Sequence, residues 1–274
     1  MLKFTRDTNG IYTQFSKKKK AVSYPVEGSD NCFSVEDNSF WFRERNHIIT
    51  DAITRFPFRS SFADIGGGNG YQVKTISETF PRHPAYLIEP IYQGCLNAKK
   101  RKLRNVYQTE SRQFPYKEKS IGGVGLFDVL EHIKDDQVFL EDIISRVRTK
   151  TRIYITVPAF SFLWSAVDDL SGHQRRYTVN DFLTLSRKLS MKPLFITYFF
   201  SYLTLPMILG RGSEYMKNMW SHTPKKLTDE LPYHTIHPVV SSILTPMHAW
   251  ERTMVRNTRM IPFGTSLLGV FETK

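Results

Sequence analysis

The hydrophobic positions divide the chain into short apolar runs alternating with stretches of helical spacing. Ser61-Phe62-Ala63-Asp64-Ile65 is an apolar run closed by an acid, and Gly66-Gly67-Gly68-Asn69-Gly70 follows at once. This predicts a buried strand breaking into a tight loop, with Val73 and Ile76 on the helix after it. Ala85 to Ile88 predicts a second strand, ending at Glu89-Pro90. A basic helix carrying Leu96 and Ala98 comes next, then a third strand from Asn105 to Gln108, ending at Glu110-Ser111. Ile121 to Leu126 predicts a fourth strand, bounded by Phe127-Asp128. Ile133 to Val147 reads as an amphipathic helix with Val138, Phe139, Ile143, Ile144 and Val147 as its apolar stripe. Arg152 to Val157 is a fifth strand, stopped by Pro158.

Two further strands, Lys192 to Phe199 and Thr265 to Phe271, complete the series. Thr178-Val179-Asn180-Asp181 is a capping box for the helix before the first of them. Upstream, Trp41, Ile48, Ile49, Ala52, Ile53 and Phe56 recur at helical spacing, with Arg43, Glu44, Arg45 and Asn46 expected on much of the other face. Strands alternating with helices predict an α/β fold with a doubly wound, mostly parallel sheet. Ligands in such sheets sit at the carboxyl ends of the strands, where Gly66 to Gly70, Glu89, Glu110, Phe127 and Pro158 all fall.

Three segments are expected. Residues 1–57 form an N-terminal arm and helix, with Lys17-Lys18-Lys19-Lys20 in a solvated arm. Residues 58–200 plus 263–274 form the ligand-binding core. Residues 201–262 form a helical insertion that acts as a lid, an interface or a membrane-surface element. The 274 residues, 41% hydrophobic and 23% charged, suit a globular protein with a substantial core. The net charge of +12 favours an anionic partner or is ordinary basic surface. Two cysteines make no disulfide framework, and no metal-ligand spacing is present, so no metal is expected. The polar start from Met1 to Gly10 does not read as a signal peptide, nor Leu194 to Leu209 as a membrane span, so a cytoplasmic location is expected, with peripheral membrane contact an option.

Several of these stretches together resemble the class I S-adenosylmethionine-dependent methyltransferases. Asp64-Ile65-Gly66-Gly67-Gly68-Asn69-Gly70 is similar to their first motif, an acid followed by G-x-G-x-G. A dinucleotide fingerprint would need its third glycine at Tyr71. Glu89, with Pro90, matches the ribose-binding acid. Glu110-Ser111 falls where the family has its adenine contact, with Glu in place of the usual Asp. Phe127-Asp128-Val129-Leu130-Glu131-His132 resembles the strand-four motif, and Gly122 stands where an acid is frequent. The resemblance implies a Rossmann-like sheet of seven strands, the last antiparallel, and S-adenosyl-L-methionine as cofactor. It implies further that the glycine loop (Gly66, Gly67, Gly68, Gly70) holds the methionyl part, that Asp64 holds the loop, and that Phe127 and Asp128 border the methionyl amine.

The acceptor side is expected in the loop after strand five. Trp164, Asp168, Arg175, Arg176 and Tyr177 are candidate substrate contacts. His173 and His132 are candidate bases, because an imidazole titrates near neutrality. The alternative for Asp168, His173 and an arginine is a network that holds the loop, and for His132 a helix cap. The resemblance implies methyl transfer to a small-molecule or sugar hydroxyl, without metal. A nucleic-acid methyltransferase and a non-catalytic binding or scaffold protein are the other readings. No RNA-binding module or N-P-P-Y-type motif favours the former, and the intact Gly66, Gly68, Gly70 and Glu89 disfavour the latter.

Overall fold

The computed structural model describes residues 4–14, 32–205, 207–209 and 238–274. Nine strands form one sheet: β1 (Thr5–Arg6), β2 (Tyr12–Thr13), β3 (Ser61–Ile65), β4 (Ala85–Glu89), β5 (Val106–Gln108), β6 (Ile121–Phe127), β7 (Arg152–Pro158), β8 (Lys192–Phe199) and β9 (Ser266–Glu272). The helices are α1 (Phe40–Arg55), α2 (Tyr71–Thr79), α3 (Tyr92–Lys100), α4 (Asp136–Arg146), α5 (Ala166–Leu170), α6 (Val179–Lys188) and α7 (Pro238–Arg256). The spatial order is β1-β2-β5-β4-β3-β6-β7-β9-β8. β5, β4, β3, β6 and β7 run parallel, whereas β9 is antiparallel to both β7 and β8. The chain order reverses between β3 and β6, and this opens a crevice at their carboxyl ends.

The predicted seven strands become nine because part of the N-terminal arm joins the edge. β2 pairs parallel to β5 and β1 pairs antiparallel to β2. Tyr12 stacks on Tyr107 with ring centroids 4.6 Å apart, and Ile11 is fully buried. Two-residue strands inside a polar stretch carry no readable period, so sequence alone missed them. The four lysines lie outside the described residues.

Alternating side chains send each strand into two cores. On one face Ala63, Val124, Leu126, Ile153 and Ile155 pack with Leu140 and Ile143 of α4 and Phe182 of α6. On the other, Phe62, Phe127, Tyr154 and Leu268 pack with Ile48, Ile49, Ala52 and Ile53 of α1 and Val255 of α7. α6 opens with the predicted box: the Asp181 amide donates to Thr178 Oγ1, and the Thr178 amide donates to the Asp181 carboxylate. α4 starts three residues later than expected, because Ile133 closes the preceding 3-10 turn Leu130–His132, and it ends at Arg146 with Val147 as its cap. Val138 is exposed rather than part of the apolar stripe.

The polar face of α1 is covered as well: Glu44, Arg45 and Asn46 are buried. Helical spacing identifies the apolar stripe but cannot show that polar partners wait on a second side. Residues 206 and 210–237 of the insertion lie outside the described residues; its α7 packs on α1, where Asp51 accepts from Arg252 Nε at 2.6 Å and from Arg256 Nε at 2.8 Å. Among the described residues no helix is long and apolar enough to cross a membrane.

Gly122 is required by the backbone. A Cβ there would collide with the Arg59 carbonyl in the approach to β3. Gly122→Ala is therefore expected to destabilise the fold by about 1–3 kcal/mol, the usual cost of overpacking. Urea unfolding followed by circular dichroism measures it, and an unchanged midpoint would contradict this account of the position.

Candidate active site

The loop after β3 turns through glycines. Gly66, Gly68 and Gly70 have φ of 68°, 52° and 77°, in the region that glycine enters without steric cost. Three different constraints act on its members. A Cβ at Gly67 would lie 2.5 Å from both Asp64 Oδ2 and Leu87 Cδ1, and one at Gly70 would lie 2.5 Å from Leu103 Cδ1. At Gly68 a Cβ would meet nothing within 4 Å, so this position borders open space. The Gly67 contact also places the Asp64 carboxylate directly beneath the loop.

Asp64 is fully buried, and among the described residues neither of its oxygens has a hydrogen-bond partner. It was expected to hold the loop, but it makes no hydrogen bond to it. Burial pushes its pKa up to about 8, against the pull of Arg45. Glu89 ties the loop to the end of β4. Its Oε2 accepts from the Gly68 amide at 2.9 Å and its Oε1 from the Ile91 amide at 2.7 Å. Burial still raises its pKa to about 7. Pro90 follows at the half-buried start of the next turn.

Asn69 fixes the loop from the far side. Its Oδ1 accepts from Asn97 Nδ2 at 3.1 Å, and its carbonyl accepts from Arg101 Nε at 3.1 Å. Arg101 continues to Glu36 at 2.8 Å and to Asp37, which binds the segment before α1 to the loop.

β6 delivers Phe127 and Asp128. The Phe127 ring lies parallel to that of Phe62, centroids 6.4 Å apart. Asp128 has φ 56°; its amide donates to the Thr156 carbonyl at 2.9 Å and its Oδ1 accepts from Thr156 Oγ1 at 3.1 Å. Its other oxygen pairs with Arg45 Nη1. Arg45 arrives from α1 with its guanidinium 4.6 Å above the Trp41 ring. Burial lowers its pKa to about 10, against the fields of Glu36, Asp64 and Glu131. Sequence reading missed Arg45, Glu36, Arg101 and Glu131. Glu131 alone had a local signal, its place in the strand-four motif.

At the end of β5 the side chains diverge. Ser111 is buried, whereas Glu110 is turned to Arg112, with Oε2 2.7 Å from Arg112 Nε.

The loop after β7 is built around Asp168, which is 1% exposed. Its Oδ1 is 2.8 Å from His173 Nδ1 and accepts from Arg176 Nε at 2.8 Å. Its Oδ2 accepts from Arg176 Nη2 at 2.9 Å and the Ser165 amide at 2.8 Å. Burial alone would raise this carboxyl, but the bonds from His173 and Arg176 hold it well below the ordinary range. Arg176 also donates to the Ala159 carbonyl at 3.0 Å. Tyr177 is buried, its hydroxyl donating to Asp136 Oδ2 at 2.8 Å. Arg175 lies 3.3 Å from the same Asp136, and Trp164 Nε1 donates to Asp169 at 3.0 Å.

His132 and His173 are brought edge to face with centroids 4.7 Å apart. Burial, together with the neighbouring His173, lowers the His132 pKa to about 4. Glu131 joins them: its side chain and the two imidazoles place one donor atom each within 4.8 Å of one another. Glu131 is 1% exposed, its Oε2 has no hydrogen-bond partner among the described residues, and burial pushes its pKa up to about 8. Gly66 packs close to Val129, and Asp64 and Glu131 both act on Arg45, so the glycine loop and the candidate bases lie at the same strand ends among buried acids.

No protein-family model and no curated protein matches the sequence. Solved structures do match in fold. The phosphoethanolamine N-methyltransferase 2 of Haemonchus contortus, solved with S-adenosyl-L-methionine, superposes with a TM-score of 0.56 at 11% identity, over 96% of this chain and 62% of that one. The chain thus spans less than two thirds of that protein's length. The Haloferax volcanii protein solved with the Trm112 methyltransferase activator gives 0.55 at 12% identity, over 90% and 93%. The plantazolicin methyltransferase BpumL, in complex with a pentazolic desmethylPZN analogue and SAH, gives 0.54 at 13% identity, over 91% and 97%. The chain has the fold of the class I S-adenosylmethionine-dependent methyltransferases.

The raised acids set a pH dependence. Asp64, Glu89 and Glu131 hold their protons more tightly folded than unfolded, so up to about pH 8 the empty folded chain carries protons that the unfolded chain has released. Where the folded state binds more protons, stability falls as pH rises. His132, depressed to about 4, is neutral in both states above its ordinary value and does not oppose this. The melting temperature of the ligand-free protein is therefore expected to fall between pH 6.5 and about 8.5. Thermal scans across that interval test it; a rising profile would contradict the burial of these three acids.

Proposed function

We propose that this chain transfers a methyl group from S-adenosylmethionine to a hydroxyl of a small molecule. The observation that carries this reading is Asp64, a buried carboxylate with two unpaired oxygens beneath a left-handed glycine loop in a methyltransferase fold. A buried acid without partners is costly, and a cationic ligand group removes that cost. The cofactor fits this demand, since it carries an ammonium and a sulfonium. The space beside Gly68 gives its methionyl part close access to backbone, and Glu89 has acceptor capacity beyond its two amide bonds for ribose hydroxyls. When bound, the cofactor supplies a methyl group already activated on sulfur.

The chain's own residues then have to position the acceptor and take its proton. Asp168 fixes the His173 ring through Nδ1, which leaves Nε2 as the basic nitrogen. Arg176 holds Asp168 ionised from the other side, so the carboxylate accepts from the imidazole and orients it. His173 is 15% exposed and can reach a substrate from the crevice wall. His132 stays neutral beside it and adds no positive charge near a cationic cofactor. Arg175, Arg176 and Tyr177 are engaged with Asp136 and Asp168, which supports a neutral acceptor over an anionic one. A sugar hydroxyl fits the same requirement. α7, packed on α1, would cover the acceptor side.

Calorimetry with S-adenosylmethionine and S-adenosylhomocysteine tests the reading first. Gly68→Ala places a methyl group in open space at a cost of about 1–2 kcal/mol in backbone strain. It is expected to remain folded and to weaken binding by more than about tenfold, which corresponds to 1.4 kcal/mol. Absence of binding by the intact chain would sink the proposal. For the acceptor step, His173→Ala is expected to keep cofactor binding and to lower kcat by about 10²–10⁴-fold, the usual range for a general base. Unchanged turnover would remove His173 from that role.

A further inference from the structure

Glu44 and His47 lie three residues apart on α1, on one face of the helix, and His248 reaches them from α7. Glu44 Oε2 is 3.0 Å from His47 Nδ1 and 2.7 Å from His248 Nε2. The second contact is close but is not aligned as a hydrogen bond, so His248 Nε2 is a buried nitrogen without a hydrogen-bond partner among the described residues. His248 itself is only 2% exposed. Glu44 Oε2 thus already bonds one imidazole, while the buried His248 nitrogen beside it has no partner, and a bound ion would satisfy that nitrogen. All three donor atoms lie within 4.8 Å of one another.

Outer contacts hold these side chains in place. Arg43 Nε donates to the other Glu44 oxygen at 2.9 Å, and the Tyr202 hydroxyl lies 3.4 Å from His248 Nδ1. Partners of this kind orient metal ligands and fix the ring nitrogen that faces the ion. The His47 side chain is 37% exposed, which leaves an entry path and room for a water.

We propose that Glu44, His47 and His248 bind a divalent transition-metal ion, with zinc the best match. Two imidazoles and one carboxylate are ligand types that zinc takes, with water completing four-coordination. The ion joins α1 to α7 beside the second link between these helices, in which Asp51 holds Arg252 and Arg256. It clasps the late helix onto the core and is independent of methyl transfer.

The test is zinc titration of chelator-treated full-length protein against a competing indicator, with cobalt absorption reporting the geometry. One ion per chain is expected, with a raised melting temperature. His47→Ala and His248→Ala should each weaken binding by at least about 10–100-fold, the loss seen even for outer partners. His47 is half-exposed, so its variant keeps the fold, as circular dichroism will verify. Three results would overturn the proposal: no saturable binding at micromolar zinc, wild-type affinity in both variants, or loss of binding in His173→Ala instead. The last would place the ion at Glu131, His132 and His173.

Discussion

The crevice depends on one buried charge. Arg45 is 3% exposed, and removing a guanidinium from water costs several kcal/mol unless carboxylates and hydrogen bonds repay it. It pairs with Asp128 and lies within the field of Glu36, Asp64 and Glu131. Those acids come from the segment before α1, from β3 and from the turn after β6. Arg45 is their common counter-ion. Its own position is set by apolar packing, because Ile48, Ile49, Ala52 and Ile53 seat α1 on the sheet. The stacking of one helix thus determines the electrostatics at the strand ends.

One guanidinium does not neutralise these acids. Arg101 answers Glu36 and Asp37, yet Asp64, Glu89 and Glu131 remain buried with their pKa values raised. Without a counter-ion these acids hold their protons. The chain as a whole carries +12. Net charge describes solvated surface and long-range attraction, whereas a dry site responds to the few groups that face it. The basic composition, read as an anionic partner or as ordinary basic surface, therefore says nothing of the buried acids at the strand ends.

The acceptor loop follows a related logic. Asp168 is surrounded by the Arg176 guanidinium, the His173 ring and the Ser165 amide, so one carboxylate sets the conformation of residues 165–176. One carboxylate thus both orders the loop and orients the imidazole on which the proposed base role rests.

The antiparallel last strand was implied only by the family resemblance; the core strands, their alternation with helices and the glycine loop were legible in the sequence itself. They rest on local signals: period-two apolar runs, a capping box, and glycines where the backbone turns left-handed. Asp64, Glu89, Phe127 and Asp128 could be placed at strand ends for the same reason. The edge strands β1 and β2 were not legible, because two residues carry no period. Nor were Arg45, Glu36 and Arg101, since a charged residue on a helix looks solvated until a second element covers it. His248 is far from Glu44 and His47 in the chain, and only the packing of α7 on α1 brings them together. The sequence by itself determined the fold and the placement of the glycine loop, through short-range periodicity and backbone conformation. Tertiary structure decided which polar groups lose water, and with that the charge of the crevice and the roles open to its histidines.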